Sequence, residues 1–316
     1  MNEIMDAITK YKESCAFLTA IKLGLFDDLL KTPLSIEHLA KEKAIDFQLL
    51  RVLLVYFQFK GLLQEERGIW KLTKPFKESY VKINHNILFH ELNLYQKWIT
   101  PDVITNSLAK GVGKRDFDIK GFDREECQIY SKAMYEDTVE YLTFWIKRMV
   151  KLGDAPTVLE IGRSPGVIGV ELKKTIPNAQ IDVAVDKAFY AICKAKFHHV
   201  KGRVKLIEQF QFSKMYDLIC IFNTIHYLTH KELSIWIEKI KTSMHKKSVI
   251  CMIDIFLDEK HQSLEPHFMI DWLTHGGIFH LNVEEIKNIM EEHGLIHLKT
   301  KQIHELSFDL LFFKTG

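Results

Sequence analysis

The chain has 316 residues, which predicts about two domains, and 47% of the residues are hydrophobic, enough for a core that folds without disulfide bonds. Charged residues make up 27% and the formal net charge is only +2, which argues against a disordered chain and against a strongly basic nucleic-acid binder. The five cysteines are widely spaced and odd in number, and neither a signal peptide nor an apolar run long enough for a membrane span is visible, so we expect a cytoplasmic protein with free thiols.

The first part of the chain has the apolar spacing of helices. A first helix is predicted over residues 4–18, in a run that ends at Gly24 in the position of a carboxyl-terminal cap. Ser35 is the predicted N-cap of a second, short helix. A third helix is predicted over residues 46–60, with an aspartate to cap its start and Gly61 just past its end.

Two strand-like runs follow the third helix. Residues 61–64 and 69–73 flank a polar turn, which is the pattern of a hairpin. Three helices and a two-stranded wing predict a winged-helix domain over residues 1–80. Residues 81–152 continue the helical spacing and are predicted to form a helical linker and substrate-pocket segment.

A winged helix also raises the hypothesis of a DNA-binding regulator. Its recognition helix would be residues 47–57, which are apolar nearly all round. Helices that read a DNA groove need polar and basic side chains for bases and phosphates. The composition of this helix instead favours burial at a subunit or domain interface.

From residue 157 onward, strands alternate with helices. The predicted strands are residues 158–161, 181–185, 204–207, 218–222 and 249–256. This alternation predicts a doubly wound α/β domain with a parallel sheet over residues 153–316. The last two strands, 296–303 and 308–313, are separated by a turn too short for a crossover and should be antiparallel.

The first of these strands leads into a turn of small residues. Glu160 lies near the strand's end, and Gly162, Ser164 and Gly166 follow before the next predicted helix. Small residues let a ligand approach the backbone, and the helix start offers unpaired N–H groups. A dinucleotide fingerprint would need glycine at positions 164 and 167, where the chain has Ser164 and Val167, so NAD is disfavoured.

A second acid stands at the end of the second strand. Asp186 follows Gly162 by about 24 residues, where a carboxylate can accept hydrogen bonds from ribose hydroxyls. Taken separately, the small-residue turn could be an ordinary tight strand–helix turn, and Asp186 could be an ordinary solvated acid. The two together favour a nucleoside site.

The order of these features resembles the bacterial and plant S-adenosylmethionine-dependent O-methyltransferases with an amino-terminal winged-helix dimerisation domain, such as caffeate, acetylserotonin and antibiotic O-methyltransferases. The resemblance rests on residues 20–26, the winged helix, residues 133–134, the nucleoside turn and residues 216–226, and it covers nearly the whole chain. It implies a homodimer that transfers a methyl group from S-adenosylmethionine to a hydroxyl of a small molecule, with an aromatic acceptor favoured and S-adenosylhomocysteine as product.

The resemblance also implies cofactor-binding residues. The strand-end acid and the turn hold the methionine part, the acid after the second strand holds the ribose, and the segment after the third strand packs against adenine. These residues are Glu160, Gly162, Ser164, Gly166, Asp186, Gln209 and Phe210. Arg163 departs from the family's glycine-rich turn and puts a cation beside the expected cofactor, where it could pair with a carboxylate or crowd it.

The catalytic residues implied by the resemblance are His226 and Asp254. His226 is assigned as the general base, and Asp254, at the end of the fifth strand, would accept its second ring N–H and fix the tautomer. His275 is a rival base, because the family usually carries its base near the glycines at 276–277. The acid expected after those glycines is missing, which leaves open a cofactor-binding protein with lost or altered activity.

Met134, Met269 and Trp272 resemble the family's substrate-facing positions, and ordinary core packing is an equally open interpretation.

A zinc site is the remaining alternative for the histidines. His226 and His230 have the spacing of a zinc-binding helix, but Tyr227 stands where HExxH has glutamate. We therefore expect no metal.

Overall fold

A computed structural model describes residues 3–82, 100–110, 137–163, 166–198, 200, 202–207, 214–256, 282–303 and 308–316. The chain divides into two compact units, Met1–Leu88 and Phe89–Gly316. The predicted three-part division, with boundaries at 80 and 152, stays a prediction.

The first unit combines helices with a small antiparallel sheet. Its elements are α1 (Glu3–Lys22), α2 (Leu25–Lys31), β1 (Leu34–Ser35), α3 (Ile36–Lys43), α4 (Phe47–Phe59), β2 (Leu63–Glu66), β3 (Ile69–Leu72) and α5 (Lys74–Lys82). The sheet order is β1-β3-β2. The three predicted helices and the hairpin are confirmed, whereas α2 and β1 were not predicted from the sequence. The winged-helix assignment itself stays a prediction.

Local chemistry sets the helix ends of this unit. The side chain of Ser35 accepts a hydrogen bond from the N–H of His38, and Asp46 accepts one from Leu49, so both predicted N-caps are confirmed. Gly24 has the left-handed φ of 66° that lets α1 end and α2 begin at once. Aromatic side chains fill the core, where the ring of Phe26 lies 5.1 Å from that of Phe57, centroid to centroid, in an edge-on contact.

The second unit is built on a seven-stranded sheet. Its described elements are α6 (Pro101–Lys110), α7 (Asp137–Met149), β4 (Thr157–Gly162), α8 (Val167–Thr175), β5 (Gln180–Val185), α9 (Tyr190–Phe197), β6 (Arg203–Leu206), β7 (Tyr216–Phe222), α10 (His230–Lys241), β8 (Met244–Asp254), α11 (Val283–Glu292), β9 (Leu295–Ile303) and β10 (Phe308–Thr315). Short 3₁₀ turns follow β5 (Lys187–Phe189) and β7 (Ile225–Tyr227). Every strand predicted in this half is confirmed.

The strand order is β6-β5-β4-β7-β8-β10-β9. Strands β4 to β8 pair in parallel, and β10 pairs antiparallel with both β8 and β9, as the short last turn predicts. Buried apolar side chains form one cluster on each face of the sheet, and α7 packs into the first of them through Val139, Leu142 and Ile146. The predicted fold class, an α/β Rossmann-like sheet preceded by a mostly helical region, is confirmed.

Two further sequence-based expectations can be compared with the described residues. Within those ranges no helix is both long enough and apolar enough to cross a membrane. Cys15, Cys193, Cys220 and Cys251 are free thiols, and all but Cys15 are buried. Cys127 lies outside the described residues.

Candidate functional site

The strand order reverses between β4 and β7. After β4 the chain adds β5 and β6 on one side, then returns to add β7 and β8 on the other. In open α/β sheets such a switch point leaves a crevice at the carboxyl ends of the two central strands, where ligands bind. The residues that follow β4, β5, β7 and β8 therefore define the candidate site.

Gly162 ends β4 where two backbones come close together. A Cβ atom here would lie 2.4 Å from Oγ1 of Thr224 and 2.6 Å from the carbonyl oxygen of Phe222, and the φ of Gly162 is +149°. Only glycine fits this position without distortion. The sequence singled out Gly162 as a ligand contact, but protein atoms already account for the missing side chain.

Close packing of protein atoms also explains the glycine at position 166. Its φ is +74°, it precedes α8, and a Cβ atom would lie 2.5 Å from the ring of Phe197. The turn is therefore tight against α9 as well as against β7. The backbone N–H groups at the start of α8 still lie at the carboxyl edge of the sheet, as a nucleoside site requires.

Glu160 points away from solvent. The side chain is fully buried, and its Oε2 accepts a hydrogen bond of 2.7 Å from the N–H of Gly169 in the first turn of α8. A buried carboxylate at a helix start is stabilised by the helix dipole and by the N–H groups there. Glu160 thus ties α8 to β4, and its assignment as a direct cofactor contact stays a prediction.

Asp186 lies beside the glycine turn, as its position after β5 predicts. Its N–H points to the carbonyl of Gly162 at 3.4 Å, and its carbonyl accepts a hydrogen bond from the N–H of Phe189. The residue is half-buried. Its place at the carboxyl end of β5 is the one from which an acid reaches ribose hydroxyls.

Asp254 organises the turn that follows β7. One carboxylate oxygen accepts hydrogen bonds from the N–H groups of Thr224 (3.0 Å) and Ile225 (2.8 Å), and the other lies 2.6 Å from Nδ1 of His226. Both Asp254 and His226 are buried, with His226 only 2% exposed. The juxtaposition expected of the two residues is therefore present, while their catalytic roles stay predictions.

Thr224 is a site residue that the sequence did not single out. Its hydroxyl donates to the carbonyl of Phe222 (2.7 Å) and accepts from the N–H of Arg163 (3.0 Å). It therefore bridges the ends of β4 and β7. Nothing in a single sequence marks this hydroxyl, because its role depends on the pairing of strands about 60 residues apart.

Arg163 and Tyr227 meet across the same boundary. The guanidinium carbon of Arg163 lies 3.9 Å from the centroid of the Tyr227 ring, within the range of a cation–π contact. Tyr227 ends the 3₁₀ turn that begins at Ile225. A cation is thus present at the switch point, as the sequence indicated.

The other residues predicted for the site fall in parts of the chain that the structure does not describe. Ser164, Gln209, Phe210, Met134, Met269, Trp272, the rival base His275 and the glycines at 276–277 lie outside the described residues.

His226 and His230 have the spacing of a zinc-binding helix, but they do not lie on one face of a single helix. His226 lies in the 3₁₀ turn and His230 begins α10, where its Nε2 is 3.7 Å from a carboxylate oxygen of Glu292. The described ranges contain no cluster of three or more histidine, cysteine, aspartate or glutamate side chains able to hold a metal ion.

The chain has the fold of solved small-molecule O-methyltransferases, a Rossmann-like sheet preceded by a helical unit. The mitomycin 7-O-methyltransferase MmcR is 14% identical with a TM-score of 0.81, and the match covers 99% of this chain and 97% of that one. Human N-acetylserotonin methyltransferase, solved with S-adenosylmethionine, is 16% identical with a TM-score of 0.75, covering 99% and 96%. CalO1, a methyltransferase of calicheamicin biosynthesis in its S-adenosylhomocysteine-bound form, is 15% identical with a TM-score of 0.70 and full coverage of both chains, 100% each. The sequence matches no family model, and no curated protein sequence matches it significantly.

Proposed function

We propose that the protein transfers a methyl group from S-adenosylmethionine to a hydroxyl of a small molecule and releases S-adenosylhomocysteine. The observation that carries the proposal is the match to MmcR at a TM-score of 0.81 over 99% of the chain, which includes both compact units. Two further matched structures were solved with S-adenosylhomocysteine or S-adenosylmethionine bound.

The described residues fit such a cofactor. Asp186 is half-buried at the carboxyl end of β5, and we assign it to the ribose hydroxyls. The backbone around Gly162 and the start of α8 would hold the methionine part. Glu160 would support this contact indirectly, by fixing α8 through Gly169. When bound, the cofactor supplies a methyl group on a sulfonium, which an oxygen nucleophile can accept in an in-line displacement.

His226 and Asp254 are the residues we assign to the acceptor's proton. With its proton on Nδ1, His226 donates to Asp254, and Nε2 is then the basic nitrogen. A base positioned in this way typically contributes about 10² to 10⁴ in rate. Because His226 is 2% exposed, the acceptor's hydroxyl must reach the imidazole from inside the site.

The burial of His226 favours a second candidate, a cofactor-binding protein with lost or altered activity. In that case His226 and Asp254 only hold the turn that carries Thr224 and Tyr227. Both candidates need the cofactor, and they differ in whether a methyl group is transferred.

We also propose that the protein is a homodimer formed through its amino-terminal unit. Apolar side chains are exposed on α4, where Leu49 is 71% and Val52 68% exposed, and on α1, where Tyr11 is 65% exposed. Exposed apolar surface of this kind is typical of a protein interface.

The experiment that tests the activity is a screen for S-adenosylhomocysteine release. The protein is incubated with S-adenosylmethionine and panels of phenols, carboxylic acids and amines. Release that depends on a phenol or another hydroxyl compound supports methyl transfer to oxygen. Tight cofactor binding without release from any panel would instead support the second candidate.

A further inference from the structure

Arg163 is held in place by its backbone at the centre of the site. It follows Gly162 directly, and its N–H donates to Oγ1 of Thr224 at 3.0 Å. Thr224 is itself fixed, because its N–H donates to the buried carboxylate of Asp254. The backbone of Arg163 therefore has little freedom at the point where β4 meets β7.

The side chain of Arg163 is oriented by an aromatic ring. The guanidinium carbon lies 3.9 Å from the centre of the Tyr227 ring, and both residues are half-buried. The N–H of Tyr227 donates to the carbonyl of Thr224, so the ring belongs to the same hydrogen-bonded turn. Backbone and side chain of Arg163 are thus both anchored to the segment after β7.

A guanidinium offers a particular chemistry for recognition. Its N–H groups lie in one plane, where they match the two oxygens of a carboxylate. S-adenosylmethionine and S-adenosylhomocysteine each carry one anionic group, the carboxylate of the amino-acid part. The sulfonium of S-adenosylmethionine is cationic and is repelled by an arginine, so the carboxylate end is the favourable partner.

We infer that Arg163, stacked on Tyr227, binds the carboxylate of the cofactor's amino-acid part. This inference rests on the proposed function. Arg163 is then a binding residue, with a charged side chain in a turn that is richer in glycine in the family that this chain resembles. Tyr227 is the residue that positions Arg163.

The test is calorimetric binding of two ligands by the wild-type protein and by Arg163→Gln. S-adenosylhomocysteine carries the carboxylate, whereas 5′-methylthioadenosine has the nucleoside and the thioether but no amino-acid part. Because the substitution removes a hydrogen-bonded charge pair between Arg163 and the ligand's carboxylate, Arg163→Gln should weaken S-adenosylhomocysteine binding about 10- to 100-fold. Binding of 5′-methylthioadenosine should change less than about twofold, because that ligand has no group for Arg163 to bind.

The matched control is Arg148→Gln. Arg148 also places its guanidinium over an aromatic ring, 5.9 Å from that of Trp145, but it is an exposed residue of α7. This variant should bind both ligands as the wild type does. Arg163→Lys keeps the charge but not the two-pronged geometry, and we expect it to recover part of the preference for S-adenosylhomocysteine; it provides the same comparison if Arg163→Gln does not fold.

Two results would overturn the assignment. Equal loss of affinity for both ligands would mean that Arg163 shapes the site without binding the carboxylate. Unchanged affinity for S-adenosylhomocysteine would mean that Arg163 does not contact it. Failure of the wild-type protein to bind S-adenosylhomocysteine is a different result, because it would remove the proposed function itself.

Discussion

At the scale of single residues, the carboxylate of Asp254 connects the most parts of the site. It accepts backbone N–H groups from the turn after β7, the N–H of Ile255 and the imidazole of His226, all in a buried position. Replacing Asp254 removes the acceptor of three backbone N–H groups and of the imidazole at once, whereas replacing His226 removes only one of the donors to the carboxylate. Variants at His226 are therefore less disruptive tests than variants at Asp254.

His226→Ala should slow methyl transfer by about 10²-fold or more, because a positioned base is lost. The cofactor's affinity should fall far less than the rate, because His226 is not itself one of the assigned cofactor contacts. Single-turnover rates of the wild type and the variant, measured with saturating cofactor, provide the comparison. Unchanged turnover would remove His226 from the mechanism and favour His275.

A second buried acid lies at the other end of the sheet. Asp182 of β5 accepts hydrogen bonds from Nε (2.8 Å) and Nη2 (2.6 Å) of Arg203 and from the hydroxyl of Tyr216 (2.7 Å). Burial alone would raise the pKa of Asp182, but the bonds from Arg203 and Tyr216 outweigh it and hold the pKa below its usual range. A carboxyl whose folded pKa is lowered stabilises the protein above its unfolded pKa of about 3.9, and this stabilisation is lost as the pH falls through the folded value.

Asp182→Asn should therefore lower the free energy of unfolding at pH 7 by about 2–4 kcal/mol. It should also make stability less dependent on pH in the acid range. Denaturant unfolding at several pH values tests both effects. Glu284→Gln is the control, because Glu284 pairs with Lys287 at 2.6 Å on an exposed helix surface and should cost less than about 0.5 kcal/mol. Equal losses for the two variants would contradict the stabilising role of the Asp182 cluster.

At the scale of elements, the sequence predicted β4, β5 and β7 well because each is a short, almost continuous apolar run bounded by polar residues. β7 illustrates this, since nearly all of its residues are buried. The helix α2 has only seven residues and begins directly at the glycine that ends α1, so the periodic pattern gave no separate signal. The two-residue β1 exists only through its pairing with β3, which lies far along the sequence.

The glycine turn shows where prediction from sequence stops. The position of the turn followed from a strand, small residues and a helix start in succession. The need for glycine at position 162 did not follow from the sequence. The atoms that would collide with a Cβ atom there belong to Phe222 and Thr224, and the parallel register of β4 and β7 brings them close. The Arg163–Tyr227 stack depends on the same register.

Gly162→Ala should destabilise the protein by about 2–4 kcal/mol, because the added methyl group meets Thr224 and Phe222 at well below contact distance and the φ of +149° is strained for alanine. Gly153→Ala is the matched control. Nothing lies within 4 Å of the point that a Cβ atom would occupy there, and the change should be neutral or stabilising by up to about 1 kcal/mol. Thermal or denaturant unfolding of both variants provides the comparison, and an equally stable Gly162→Ala would show that the two strand ends are not packed as described.

At the scale of the whole molecule, the two compact units have different proposed tasks. The first exposes apolar side chains on α1 and α4, and the second carries the residues proposed to bind cofactor and acceptor. Part of the 47% hydrophobic composition therefore lies on a surface rather than in a core. A dimer would cover this surface.

Sedimentation velocity should find the wild-type protein as a dimer at micromolar concentration. Val52→Glu places a charge on the exposed face of α4 and should shift the protein toward monomer, because an unpaired buried charge is costly. Ile235→Glu is the control, since Ile235 is 44% exposed on α10 of the second unit. A monomeric wild type, or an unchanged dimer in Val52→Glu, would contradict the proposed interface.

The most direct test of the proposed function is calorimetric titration of the full-length protein with S-adenosylhomocysteine. Methyl transfer from S-adenosylmethionine predicts saturable binding of one molecule per chain, with a dissociation constant well below about 1 mM. The absence of binding at millimolar ligand would contradict both methyl transfer and the cofactor-binding alternative, and would leave the fold as the only property shared with the solved methyltransferases.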